Sequence, residues 1–147
     1  LLLALIPSFR NWWFFISALL CASIPALVSQ WVKHMHNMPR PMNYFNKAAW
    51  IHIEPGWPVL MKNSFPSGHT TGAFSLFCFL SMLLPKRYQP FGILFFCIAL
   101  LVGYSRMYLA AHFFADVYAG SIIGSSVTLI LFALLKYLKP YFFKNKK

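Results

Sequence analysis

Long apolar stretches alternate with short polar ones along this chain. Four of the apolar stretches, residues 12–31, 69–84, 90–108 and 113–138, are candidates to cross a bilayer, which takes about 20 predominantly apolar residues per helix. The first contains Pro25, which a membrane helix tolerates as a kink. The pattern predicts an all-α integral membrane bundle of about four transmembrane helices, forming a single domain over residues 1–147.

One long connection, residues 32–67, separates the first two stretches. Its segment 42–52 mixes apolar and polar residues, a composition typical of a helix that lies in the plane of the membrane interface. Tyr44, Trp50 and Trp57 are residues suited to the headgroup level. We therefore expect an interfacial helix next to the transmembrane bundle.

The composition supports a membrane protein and argues against nucleic-acid binding. The chain is 59% hydrophobic and 10% charged, whereas a soluble domain carries about 25% charged residues. The net charge is +11, but the Lys and Arg residues lie between and after apolar stretches and form no basic face with interleaved aromatic residues. The basic excess therefore does not indicate a nucleic-acid partner.

The scarcity of acids and the cysteine spacing limit the chemistry. The only acidic residues are Glu54 and Asp116, whereas Mg²⁺ and Ca²⁺ sites and two-metal phosphatases are built from several carboxylates. Cys21, Cys78 and Cys97 fall inside apolar stretches without CxxC spacing, which indicates core- or lipid-facing residues. We expect no metal and no other cofactor.

The basic residues also predict an orientation. With four spans, one side of the membrane carries eight Lys and Arg and the other side five. The first set is Arg10, Lys86, Arg87, Lys136, Lys139, Lys144, Lys146 and Lys147, and the second is Lys33, Arg40, Lys47, Lys62 and Arg106. The positive-inside rule then places the C-terminal tail in the cytoplasm and the long connection on the extracytoplasmic side.

A polar segment at the junction of the last two stretches, residues 105–116, holds Arg106, His112 and Asp116. His112 and Asp116 are four residues apart, so on a helix the carboxylate can bind one ring nitrogen and leave the other free as a nucleophile. Arg106 could bind a phosphate through two parallel hydrogen bonds. The alternative is a buried His–Asp pair that only ties the bundle together.

Two further polar segments precede this one. Pro66-Ser67-Gly68-His69 is typical of a turn that opens a helix, where Ser67 could cap the helix or donate to an anion and Gly68 permits a close backbone approach. His69 could protonate a leaving oxygen. Lys33 and Arg40 add two cations after the first stretch. Taken singly, these residues could instead be a plain helix cap and cations that snorkel at a membrane boundary.

Together the three segments predict one site. The span count brings them to the same membrane face, where ionisable residues are candidates for function. Cations, a helix N-terminus and two histidines with different neighbours supply the positioning and charge stabilisation that phosphoryl transfer requires.

Lys33-x6-Arg40-Pro41, Pro66-Ser67-Gly68-His69 and Ser105-Arg106-x5-His112-x3-Asp116 resemble the three signature motifs of the type 2 phosphatidic acid phosphatase (PAP2) family, in order and without departure. The resemblance implies that His112 is the nucleophile, that Asp116 orients it and that His69 is the general acid. It implies that the phosphate is bound by Lys33, Arg40, Ser67, Gly68 and Arg106. It also implies six spans in bacterial relatives, so this chain corresponds to the last four and we expect two further N-terminal helices.

We therefore expect a lipid phosphatase of a bacterial inner membrane that acts at the extracytoplasmic leaflet through a phosphohistidine. Candidate substrates are undecaprenyl pyrophosphate, phosphatidylglycerol phosphate, phosphatidate and lipid A phosphates. Two alternatives stay open. One is a phosphotransferase that passes the phosphoryl group to another lipid, and the other is a non-catalytic protein that binds or transports an anionic lipid.

Overall fold

The computed structural model describes residues 12–45, 51, 56 and 60–142, and its regular elements in those ranges are all helical. In chain order they are α1 (Trp12–His36), α2 (Pro41–Tyr44), α3 (Gly68–Leu83), a 3₁₀ turn (Lys86–Tyr88), α4 (Phe91–Tyr108) and α5 (Phe114–Phe142). The prediction of an all-α bundle is confirmed.

Three helices of the described chain are long and apolar enough to cross a membrane. They are α1 with its continuation to Tyr44, α4 and α5. Helix α3 has 16 residues and is therefore about 24 Å long at 1.5 Å per residue, less than the roughly 30 Å of a hydrocarbon core. The fourth predicted span therefore stays a prediction, although α3 packs against α1, α4 and α5.

Helix α1 extends beyond its predicted end at residue 31 and brings Lys33 into its last turn. Basic side chains in a last turn interact favourably with the helix dipole. The helix ends where Asn37 takes a positive φ of 40° and donates its N–H to the carbonyl of Lys33 at 3.1 Å. Asn is one of the few residues that adopt this conformation readily. The Lys33 side chain therefore projects from a helix and not from a loop.

Helices α3 and α5 approach each other closely through two glycines of α5. A Cβ on Gly120 would lie 2.7 Å from the carbonyl oxygen of Ser67, and a Cβ on Gly124 would meet the carbonyl oxygen of Thr71 even more closely. The pair forms a Gly-x-x-x-Gly sequence, which lets membrane helices bring their backbones together. The sequence interpretation did not use this pattern, although it was present in the last apolar stretch.

The cluster of large apolar core residues lies at the end of the bundle away from the polar segments. Phe14, Cys21 and Phe79 are buried together there. The indole N–H of Trp13 donates to the carbonyl of Leu135 at 3.2 Å, which ties α1 to the second half of α5. The opposite end, where α1 and α4 finish and α3 and α5 begin, is thus left for polar side chains.

Several predictions concern residues outside the described ranges. Of the predicted interfacial helix 42–52, the structure describes a short helix at Pro41–Tyr44, a turn at Phe45 and a bend at Ile51, and the other residues lie outside the described ranges. Trp50 and Trp57, and the charged residues Arg10, Lys47, Glu54, Lys144, Lys146 and Lys147, also lie outside the described residues.

Candidate active site

Asp116 lies in the first turn of α5, where its carboxylate is held by the start of the helix. Its Oδ2 accepts the backbone N–H of Phe113 at 2.9 Å, so the acid reaches back to cap the helix as the third residue of a capping box does. A carboxylate is also favoured near the positive end of the helix dipole. These two effects explain locally how α5 starts and how Asp116 is oriented.

His112 and Asp116 are in contact, as predicted, but His112 is not on the helix. The imidazole Nδ1 lies 3.4 Å from Asp116 Oδ2, and both residues are 3% exposed. The predicted shared helical face is therefore wrong, because α5 begins only at Phe114 and the carboxylate reaches back to the preceding turn. Among the described residues, Nδ1 has no acceptor in good hydrogen-bond geometry.

The turn between α4 and α5 places His112 beside the end of α4. Ala110 has a positive φ of 49°, and the carbonyls of Arg106 and Met107 accept the N–H groups of Ala111 and Ala110, each at 3.0 Å. This is the Schellman arrangement that closes many helices, here with Ala where Gly is usual. The Arg106 carbonyl also accepts the N–H of His112 at 3.2 Å, so the two predicted site residues share one turn.

Ser64 is a residue of this site that the sequence interpretation missed. It is completely buried, its hydroxyl donates a hydrogen bond to Asp116 Oδ2, and its backbone N–H donates to the carbonyl of Met38 at 3.0 Å. The only feature of the sequence that could have pointed to Ser64 was its position two residues before the Pro66-Ser67 turn. That position does not by itself indicate a chemical role.

The Ser67 turn opens α3 as predicted and joins it to α5. Ser67 is the N-cap of α3 and accepts the Thr70 hydroxyl at 2.9 Å, while its own N–H donates to the backbone carbonyl of Asp116 at 2.9 Å. The next residue, Gly68, faces α1, because a Cβ on it would lie 3.9 Å from Lys33 Nζ. The turn therefore brings the ammonium group of Lys33 to the N-terminus of α3.

Arg40 is buried and donates to three backbone carbonyls. Its Nε binds the carbonyl of Lys62 at 2.9 Å, and its two terminal nitrogens bind those of Ala111 at 3.0 Å and Asn63 at 3.4 Å. These bonds hold the segment before α3 against the turn before α5. A guanidinium has five N–H donors, so two are not used in these three bonds to described residues.

The predicted site residues form one electrostatic group. His69, exposed on the first turn of α3, is close enough to Arg106, His112, Lys33 and Arg40 to feel the charge of each. Burial lowers the pKa of His112 and the charges of Arg40 and Lys33 lower it further, while the contact with Asp116 opposes the shift. The net lowering of the His112 pKa keeps its imidazole neutral, which is the state of a nucleophile.

An open recess of about 350 Å³ adjoins His112. Among the described residues of its wall, apolar and aromatic side chains predominate, including Phe45, Met107 and Phe113. The rings of Phe45 and Phe113 lie 6.2 Å apart between centroids. The imidazole of His112 therefore lies between the cations of the site and an apolar surface. This arrangement suits an amphipathic anion.

The described side chains contain no group of three or more His, Cys, Asp or Glu that could hold a metal ion. Cys21, Cys78 and Cys97 are free thiols on α1, α3 and α4. Within the part of the chain that the structure describes, the cysteines therefore lie on three different helices.

Comparison with known proteins identifies the family. The chain is 32% identical over 102 residues to undecaprenyl-diphosphatase of Sulfolobus acidocaldarius, a match that covers 67% of this chain and 44% of that protein. It is 36% identical over 99 residues to phosphatidylglycerophosphatase B of Bacillus subtilis (59% and 46%). It is also 36% identical over 110 residues to lipid A 1-phosphatase of Rhizobium johnstonii (73% and 43%).

These matches span less than half the length of each of those relatives, and no solved structure matches the chain significantly. The profile of the PAP2 superfamily matches residues 11–140, a range that contains the three polar segments and every residue of the site. The resemblance drawn from the motifs is confirmed, and the chain belongs to the PAP2 superfamily.

Proposed function

We propose that this protein is a hydrolase that removes phosphate from a membrane lipid phosphate or diphosphate through a phosphohistidine on His112, without a metal ion. One observation carries the proposal. The buried pair of His112 and Asp116 lies within the electrostatic reach of Lys33 and Arg40, at the helix ends that also hold His69.

In the proposed reaction, the lone pair of His112 Nε2 attacks phosphorus while the bond from phosphorus to the lipid oxygen breaks. Asp116 orients the ring through its contact with Nδ1 and stabilises the cationic phosphohistidine. His69 donates a proton to the departing oxygen. A water molecule then gives a proton to His69 and attacks phosphorus, the bond from phosphorus to His112 Nε2 breaks, and inorganic phosphate is released.

The phosphate is proposed to lie between the cations and the N-terminus of α3. Lys33 is already placed beside Gly68, and Arg40 keeps two N–H donors beyond those that bind carbonyls. The N–H of Ser67 is bonded to the Asp116 carbonyl, so the contribution of Ser67 would come from its hydroxyl. Arg106 completes the set and stabilises the charge on the equatorial oxygens.

The substrate is proposed to be a lipid because the relatives are named as phosphatases of undecaprenyl diphosphate, phosphatidylglycerophosphate and lipid A. Phosphatidate is a further candidate. The aromatic recess beside His112 gives the apolar part of such a molecule a surface next to the reacting phosphate. A lipid that presents its phosphate at the interface would explain a site built at helix ends.

The proposed location is a bacterial inner membrane, with the site on the extracytoplasmic side and the C-terminal tail in the cytoplasm. The support is the distribution of Lys and Arg under the positive-inside rule. A reporter that works only in the cytoplasm should be active when it is fused to the C-terminus. Activity of a reporter that works only outside the cytoplasm would show the opposite orientation.

The test is release of inorganic phosphate from a panel of lipid phosphates in detergent micelles, with EDTA, using the full-length protein. We expect release that resists EDTA and is lost in His112→Ala, with the exposed His36→Ala as the matched control. Labelled phosphate that appears in a second lipid would identify a phosphotransferase. Lipid binding and function that survive in His112→Ala would identify a binding or transport protein.

The pH dependence gives a further expected result. Because burial lowers the pKa of His112, the neutral nucleophile persists below the ordinary histidine value of about 6.5, so the acidic limb of kcat/KM that reports His112 should lie below that pH. Asp116→Asn removes the one group that raises this pKa. We expect the limb to move further toward acid and kcat to fall by a factor on the order of 10⁴. An acidic limb above pH 6.5 in the wild type would contradict this assignment.

A further inference from the structure

Asp116 Oδ2 is approached by three hydrogen-bond donors. The Ser64 hydroxyl and the Phe113 N–H make hydrogen bonds to it, and His112 Nδ1 lies 3.4 Å away. A carboxylate oxygen has two lone pairs. The first two donors therefore occupy the acceptor positions of this oxygen, and the imidazole is left with a longer and poorly aligned contact.

The geometry around His112 agrees with this competition. Its Nδ1 is buried and, among the described residues, has no acceptor in good hydrogen-bond geometry although a carboxylate lies next to it. A buried donor without an aligned acceptor is uncommon. The lack of an aligned acceptor for Nδ1 is explained if the lone pairs of Asp116 Oδ2 are already used by the Ser64 hydroxyl and the Phe113 N–H.

Ser64 is held firmly in this position. It is completely buried, its N–H is bonded to the carbonyl of Met38 at 3.0 Å, and the preceding residue, Asn63, gives its carbonyl to Arg40. The hydroxyl therefore comes from a segment that is bound to the α1–α2 corner, and it crosses to a residue of α5.

We propose that Ser64 is a positioning residue that sets how strongly Asp116 binds the Nδ1 of His112, by occupying one of the two lone pairs of Oδ2. The inference rests on the proposed function for its catalytic meaning, but the interaction itself can be measured without turnover. By occupying this lone pair, Ser64 weakens the hydrogen bond between the carboxylate and the imidazole. Asp116 therefore still orients the ring, and the ring stays in the neutral form that can attack phosphorus.

Removing the Ser64 hydroxyl should change the pKa of His112 in a predictable direction. Without the Ser64 donor, Oδ2 has a free lone pair and a less stabilised negative charge, so it binds the imidazolium form of His112 more strongly. The pKa of His112 should rise. The other charged groups that act on His112 are unchanged by the substitution. They are Lys33 on α1, Arg40 at the α1–α2 corner and His69 on α3.

The experiment is an NMR titration of isotopically labelled histidine in the full-length protein in detergent, with the His112 signal assigned by its loss in His112→Ala. We expect Ser64→Ala to shift the protonation equilibrium of His112 toward imidazolium about ten-fold, one pKa unit. Ser64→Cys keeps a weak donor and should shift it less. The matched control is Ser75→Ala, which removes another buried and hydrogen-bonded hydroxyl far along α3 from the site.

The acidic limb of kcat/KM should move toward higher pH in Ser64→Ala by the same factor. A merely structural role would lower the activity without moving either titration. A His112 titration in Ser64→Ala that coincides with that of Ser75→Ala, or that moves toward acid, would overturn the proposal. If the wild type releases no phosphate from any lipid, the proposed function fails, and the NMR titration still decides the role of Ser64.

Discussion

Helix α3 buries five residues, three of which carry hydroxyl groups, whereas the neighbouring α4 buries only two. Yet α4 is the more apolar of the two helices. Of the two, only α4 is long and apolar enough to be a candidate membrane span. Helix α3 contacts all three of the other long helices, α1, α4 and α5, and α5 likewise contacts the other three.

The difference shows what marks the interior of a membrane protein. Lipid chains are as apolar as leucine, so an apolar side chain gains little by turning inward, and helices associate through small residues and hydrogen bonds. In agreement with this, Thr70 and Thr71 on α3 lie against Gly120 of α5, and the Ser75 hydroxyl bonds to Cys21 of α1 and Thr128 of α5. The large side chains of α4 are exposed on the surface of the described bundle.

The largest expected effect is at the closest approach between α3 and α5. Gly124→Ala would place a methyl group against the carbonyl oxygen of Thr71, and a backbone atom cannot move aside without shifting a helix. We expect the free energy of unfolding to fall by about 3 kcal/mol, the upper part of the range for overpacking, measured by reversible unfolding in mixed micelles.

Two glycines of α4 provide matched controls for this substitution. In Gly103→Ala the new Cβ would lie 2.9 Å from Cγ1 of Val117, a side chain that can adjust, and in Gly92→Ala it would lie 3.5 Å from Ser81 Oγ. We expect a smaller loss of unfolding free energy for Gly103→Ala and no loss for Gly92→Ala. Equal losses at all three glycines would show that α4 packs as tightly as α3.

The end of α4 allows a substitution that stabilises. Ala110 has a left-handed backbone conformation with φ of 49°, which costs a residue with a Cβ about 1–2 kcal/mol. Ala110→Gly should therefore raise the free energy of unfolding by up to about 1 kcal/mol, because glycine also loses more chain entropy on folding. The control is Ala22→Gly inside α1, which should lower stability by about 1 kcal/mol. A melting temperature that falls in both variants would contradict the turn geometry.

The smallest expected effects compare one polar residue of α3 with one apolar residue of α4. Ser75 donates to the carbonyl of Cys21 and accepts the Thr128 hydroxyl at 2.8 Å, so Ser75→Ala should cost about 0.6 kcal/mol or somewhat more, as hydrogen bonds between membrane helices do. Leu101 is 65% exposed, and Leu101→Ala should be close to neutral. A greater loss from the leucine would mean that α4 is covered by protein and not by lipid.

The sequence was sufficient to locate the long apolar helices and the polar segments at their ends, because both depend on local composition. Apolar stretches located α1, α4 and α5, and the polar segments at the ends of the apolar stretches contained His69, His112 and Asp116. The packing of α3 on α5 was also encoded in Gly120 and Gly124, but a close approach becomes visible only when the facing backbone is known. Hydropathy alone could not establish whether the 16 residues of α3 cross the membrane.

The parts of the site that could not be predicted are contacts between distant segments. Ser64 lies 52 residues from Asp116 in the sequence, and no spacing rule connects a lone serine to a carboxylate. The bonds from Arg40 to backbone carbonyls are likewise invisible in the sequence, because every residue has a carbonyl. His112 was placed on a helix because four-residue spacing is typical of helices, whereas the carboxylate reaches back across the helix start.

The hydrogen bond from the Ser67 N–H to the Asp116 carbonyl has a consequence for how a substrate enters. It joins the start of α3, which carries the proposed acid His69, to the first turn of α5, which directly follows the proposed nucleophile His112, so these two backbone segments would move as one block. Any opening that admits a lipid must then come from movement of other parts of the chain against that block. The spacing between the backbones of the two proposed catalytic residues would then be kept through binding and release.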